Sequence, residues 1–129
     1  MSITEVILDF WYNDNLRSTV SVVDGLKHGE SRSYHEDGET LEELCYYVNG
    51  VRDGQYTRYY DNGDLRELCI FIDGKISGIK VHYGLNNSVA SRITYVDGKR
   101  HGQCINYRHG RVTHICLFEN DRLVHVEYF

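Results

Sequence analysis

The chain has 129 residues and a formal charge of −5, enough for one domain or one short repeat array. The acidic balance argues against nucleic acid, since a duplex binder presents a basic stripe. No stretch approaches the roughly 20 apolar residues of a membrane helix, and the opening MSITEVILDF lacks the positive and apolar regions of a signal peptide. The expectation is a soluble, cytoplasmic protein of one domain, 1–129.

Taken in chain order, the first strand is expected over about Thr4–Tyr12, closed by a turn at Asp14-Asn15. A second strand then runs from Leu16 to Asp24-Gly25. From there the pattern recurs about every 24 residues. Asp/Asn-Gly returns at Asn49-Gly50, Asp73-Gly74 and Asp97-Gly98, and weakly at Asn120. A second glycine follows at Gly29, Gly54, Gly78 and Gly102, and a tyrosine five residues later at Tyr34, Tyr59, Tyr83 and Tyr107. A fixed period of this size marks a repeat architecture, in which one unit cannot bury its own apolar face.

Each unit reads as two strands. One runs from the second glycine to the tyrosine. The other ends at the next Asp/Asn-Gly and carries apolar residues at recurring offsets: Leu16, Leu41, Leu65, Val89 and Val112; Val20, Cys45, Cys69, Ile93 and Cys116; Val22, Tyr47, Phe71, Tyr95 and Phe118. The offsets share one parity, so they and the tyrosines are expected on one sheet face. Asp37-Gly38, Asn62-Gly63, Asn86-Asn87 and His109-Gly110 are the turns between the two strands. A three-residue loop at Asp61-Asn62-Gly63 sets Tyr59 opposite Leu65, and the same register sets Tyr83 opposite Val89. The turns of units two and five differ in length by one residue. The last strand is Leu123–Phe129. The fold class is all-β: one elongated, twisted antiparallel sheet of about five stacked hairpin repeats and roughly eleven strands.

The run Gly54-Gln55-Tyr56-Thr57-Arg58-Tyr59-Tyr60-Asp61-Asn62-Gly63-Asp64-Leu65, followed by Phe71-Ile72-Asp73-Gly74-Lys75 and Gly78, resembles a MORN-type repeat. It is closest to the variant found in bacterial antitoxin-like repeat proteins. The resemblance implies stacked hairpins that serve protein–protein contacts, scaffolding or lipid-proximal roles. It implies no catalysis. Such repeats occur in bacteria and large DNA viruses, so host cytoplasm or a virion is the implied location.

The cysteines Cys45, Cys69 and Cys116 stand where Val20 and Ile93 stand in other units, which reads as small buried hydrophobes. Equivalent strands lie two spacings apart, about 9–10 Å, so Cys45 and Cys69 are not expected to bridge. No Cys-x-x-Cys pair suggests zinc, the seven histidines share no ligand spacing, and no serine sits on a nucleophile elbow. Neither cofactor, metal site nor enzyme activity is expected. Acidic residues around Asp37-Gly38 read as a solvated hairpin tip. The opposite face, with Phe10, Tyr12, Leu44, Tyr46, Tyr56, Tyr60, Leu68, Ile70 and Ile72, is rich in apolar groups. Exposed apolar patches mark interaction sites, so Tyr12, Tyr46, Tyr56, Tyr60 and Ile70 are the candidate partner-binding residues. The apolar final strand is a candidate edge for self-association. Charge divides unevenly, −8 over residues 1–64 and +3 over 65–129. The Lys99, Arg100, Arg108 and Arg111 group leaves membrane contact as an alternative, and a structural part in a larger assembly as another.

Overall fold

The computed structural model describes residues 1–129. Twelve strands form one open antiparallel sheet. They are β1 (Thr4–Phe10), β2 (Leu16–Val23), β3 (Leu26–Tyr34), β4 (Leu41–Val48), β5 (Val51–Arg52), β6 (Gly54–Tyr59), β7 (Leu65–Ile72), β8 (Lys75–Tyr83), β9 (Val89–Val96), β10 (Lys99–Arg108), β11 (Arg111–Glu119) and β12 (Arg122–Tyr128). Spatial order follows chain order, with the short β5 pairing only β4. One 3-10 turn, Leu85–Asn87, is the sole helical element.

The Asp/Asn-Gly anchors are themselves hairpin turns. Asp24 and Gly25 have φ of +48° and +81°, and Asn49 and Gly50 have +47° and +85°. Positive φ at both central residues is the two-residue turn whose twist suits flanking strands. The next strand therefore starts at once, at Leu26 against Val23 and at Val51 against Val48, several residues earlier than the sequence pattern suggested. The second glycines fall inside strands. Gly54 sits at φ +115°, where the ladder skips from Tyr47↔Arg52 to Leu44↔Thr57. A glycine inside a strand marks such a bulge. In the third unit the bulge separates the early start, β5, from the expected strand, β6, hence twelve strands.

The tip turns follow the expected register. Gly63 has φ +91°, Tyr59 pairs Leu65, and Tyr83 pairs Val89. The fifth unit closes with a tighter turn, Arg108 against Arg111.

The expected single-face ladder is corrected. Beside each tip the returning strand carries one unmatched residue: Arg17, Glu42, Arg66, Ala90 and Thr113. One extra residue reverses the alternation. Tyr56 pairs Cys69 while Tyr59 pairs Leu65. Tyr59 stands three positions after Tyr56 in regular strand, an odd offset, so they point to opposite faces. The tyrosine–leucine ladder thus lies opposite the cysteine ladder.

The cysteine face holds a row running Ile7, Val20, Ser31, Cys45, then Tyr56 with Cys69, and later Lys80, Ile93, Cys104, Cys116 and Val126. Its centre is the core: Cys45, Tyr56 and Cys69, with Tyr47, Phe71 and Ile76 packed against them. With no second layer above it, this is the only cluster of fully buried apolar side chains.

Backbone and side-chain braces tie successive units at both long edges. Gly50 N–H donates to the Lys27 carbonyl at 2.7 Å, Gly74 to Arg52 at 2.7 Å and Gly98 to Ile76 at 3.0 Å. At the tips the Trp11 indole N–H donates to the Tyr34 carbonyl at 3.2 Å and the Tyr60 hydroxyl to the Tyr83 carbonyl at 2.6 Å. The His35 ring nitrogen lies 3.1 Å from the Tyr59 carbonyl. Each unit thereby satisfies polar groups of the next, as repeat stacking requires.

Candidate functional site

Two surfaces compete for a functional role: the polar strip beside the core and the face opposite it.

The polar strip crosses the middle of the cysteine face as register partners Glu43, Arg58, Glu67 and His82. The Tyr56 hydroxyl donates to Glu43 Oε2 at 3.1 Å, and Arg52 lies 3.6 Å from Glu43 Oε1. Lys80 Nζ meets Glu67 Oε1 at 2.5 Å. The Arg52 guanidinium also sits over two rings, 5.3 Å from the Tyr56 centroid and 5.5 Å from that of Phe71, a favourable cation–π arrangement. These contacts are internal and tie Glu43 and Glu67 to neighbouring strands, while the buried Arg58 Nε has no hydrogen-bond partner.

Its titration behaviour agrees. Burial pushes the Cys69 thiol up to about 11 and raises those of Cys45 and Cys104. Burial, and then the charge of Glu43, raises the Tyr56 hydroxyl. Thiols held protonated at neutral pH are poor nucleophiles. Burial lowers the His82 imidazole, opposed by Glu67.

The opposite face carries an unbroken row of register partners: Leu8, Thr19, Arg32, Leu44, Thr57, Leu68, Val81, Arg92, Ile105 and Ile115. Beside it, toward the Asp/Asn-Gly turns, come Tyr46 and Ile70. By alternation Val48 and Ile72 follow on the same side. Val48, Ile70, Ile72 and Ile79 are all exposed. Arg32 and Arg92 flank this apolar strip within the same row.

The five candidate residues separate on this geometry. Ile70 is 52% exposed and Tyr46 half-buried, both on the opposite face as expected. Tyr12 lies at the first hairpin tip, 82% exposed, its hydroxyl 3.2 Å from Glu36 Oε2. Tyr56 is corrected: it is 8% exposed, in the core beside Cys45 and Cys69. Tyr60 sits in a tip turn, half-buried, and its hydroxyl is taken by the Tyr83 carbonyl. Only Tyr46 and Ile70 of the five share one surface.

The hairpin from β3 to β4 and that from β5 to β7 have the same plan: a bulge at glycine, a tip turn, and a return strand ending in Asp/Asn-Gly. Residues 27–49 and 52–73 match the MORN repeat variant. The matched MORN segments hold Tyr46, Tyr56 and Ile70. No curated protein matches the chain.

Sequence reasoning missed Cys104. It stands two residues after the second glycine, a position filled elsewhere by Ser31, Tyr56 and Lys80. Only the shared offset from glycine could have revealed it, because the residue types have nothing in common.

Proposed function

We propose that the chain is a non-catalytic repeat module that binds another protein through the face opposite the cysteines. The observation that supports this reading is the exposed apolar strip with Tyr46 and Ile70 on a sheet that has no second layer. An apolar sheet face normally requires cover, and aromatic and aliphatic anchors of this kind dominate contact energetics. An inhibitor, an antitoxin-like factor or an assembly adaptor would each use such a surface. The four free thiols suit a reducing compartment such as the cytoplasm or a virion interior.

The test is affinity capture with the wild type, a Tyr46→Ala/Ile70→Asp variant and a Tyr12→Ala variant. A partner retained by wild type and Tyr12→Ala but lost by Tyr46→Ala/Ile70→Asp supports the reading, provided the variant melts as the wild type does. Equal retention by all three would sink it.

A second reading rests on β12. Leu123, Val124 and Tyr128 on β12, and Phe129 just after it, are exposed; β12 is an edge strand of the sheet, and such edges recruit other strands. Removing Leu123–Phe129 should then reduce the mass seen by light scattering. Membrane contact has weaker support, because Arg100 of the basic group is already bound to Asp121 at 3.2 Å and stacked on Phe118 at 4.4 Å. Flotation with acidic vesicles separates this from protein binding.

A further inference from the structure

Cys104 on β10 and Cys116 on β11 are direct register partners. Both are free, and partners across an antiparallel pair point to the same face. Their α-carbons therefore lie about 4.5–5.5 Å apart, inside the range a disulfide spans. Cys45 and Cys69 differ in this respect, since β6 runs between their strands. We propose that Cys104 and Cys116 form a dithiol site that a small disulfide oxidant, such as oxidised glutathione, closes into a reversible cross-strand disulfide.

The chemistry balances without a further reagent. The Cys116 thiolate, on the half-buried residue, attacks one sulfur of oxidised glutathione and expels one glutathione thiolate. The Cys104 thiolate then attacks the Cys116 sulfur of the mixed disulfide and expels the second. Two cysteine thiols are oxidised, one glutathione disulfide is reduced to two thiols, and the two protons leave with them. Asn106 Nδ2 lies 3.7 Å from Cys104 Sγ and donates to it, which partly offsets the burial that raises this thiol; the alkaline medium of the test below supplies the thiolate for the second step.

Partnered β-carbons sit about 4.5–5.5 Å apart, against about 3.8 Å in a relaxed disulfide. Closure must draw the strands together slightly. A bond formed under such strain is easily reduced, as labile disulfides are.

The experiment treats the folded, full-length protein with excess oxidised glutathione at pH 8.5, then maps disulfides by peptide mass spectrometry. The expected product is lighter by two hydrogens, links the Cys104 and Cys116 peptides alone, and reverts with dithiothreitol. Cys104→Ser should stop at a stable glutathione adduct on Cys116. Wild-type protein that stays fully reduced, that accumulates the adduct without closing, or that links other cysteines overturns the proposal. The same treatment in urea, where links scramble among all four thiols, shows whether the native register selects the pair.

Discussion

Tyr56→Ala should cost this protein more than any other single tyrosine truncation. The ring sits between Cys45 and Cys69, with Phe71 edge-on at 5.4 Å and Arg52 across its face. A buried aromatic removes about 200 Å² from water, and at about 25 cal/mol per Å² that is worth about 5 kcal/mol. Alanine keeps its own methyl, and the denatured chain already buries part of the ring, which brings the loss to about 3 kcal/mol. For a chain of this length that lowers the melting temperature by about 10 °C. Loss of the hydroxyl bond to Glu43 accounts for about 1 kcal/mol of it, so Tyr56→Phe should fall about a third as far. Circular dichroism melts at 218 nm (roughly the strand band) compare both with Tyr12→Ala, which should stay within about 0.5 kcal/mol of wild type. If Tyr56→Ala melts with Tyr12→Ala, Tyr56 is a surface residue and the two-face assignment collapses.

Two further outcomes follow from the geometry. At Gly38, φ is +71° and an added β-carbon would come within 2.8 Å of the Asn15 β-carbon and 3.1 Å of the Leu16 nitrogen. Gly38→Ala should destabilise by about 1–3 kcal/mol, whereas Gly25→Asn, at φ +81° with nothing within 4 Å, should cost under about 1 kcal/mol because asparagine tolerates that region. Urea midpoints distinguish them. His82 titrates below its ordinary value because burial disfavours the imidazolium. As pH falls through about 6.5 the unfolded chain takes up the proton first. Stability is therefore full above that pH and declines below it. His82→Gln should flatten the urea midpoint between pH 7.5 and 5.5 relative to wild type, and an unchanged slope would count against His82 as a source of acid sensitivity.

The period, the antiparallel meander and the tip registers were legible because turns depend on a few residue types. Glycine and asparagine at positive φ announce themselves in one dimension. The sidedness was not legible. An unmatched residue such as Arg66 or Ala90 leaves no compositional mark, since a bulge is set by hydrogen-bond pairing and many residues fit it. Parity alone therefore puts the tyrosines and cysteines on one face, and the bulge separates them. Tyr56 was misplaced for a related reason. Its position alternates Ser, Tyr, Lys and Cys, so no apolar rhythm ties it to the core. Tyr46 and Ile70 were placed correctly because no bulge interrupts β4 or β7 between them and the neighbouring cysteines.

Adjacent residues Cys69 and Ile70 offer the most direct test of the two faces. Cys69 is 2% exposed and Ile70 is 52% exposed. In folded Ile70→Cys protein, a soluble maleimide followed by peptide mass spectrometry should modify position 70 within minutes and leave Cys69 untouched until urea is added. Comparable labelling of both would mean that neither side of the sheet is the protein's own interior, and the surface assigned to partners would have no physical basis.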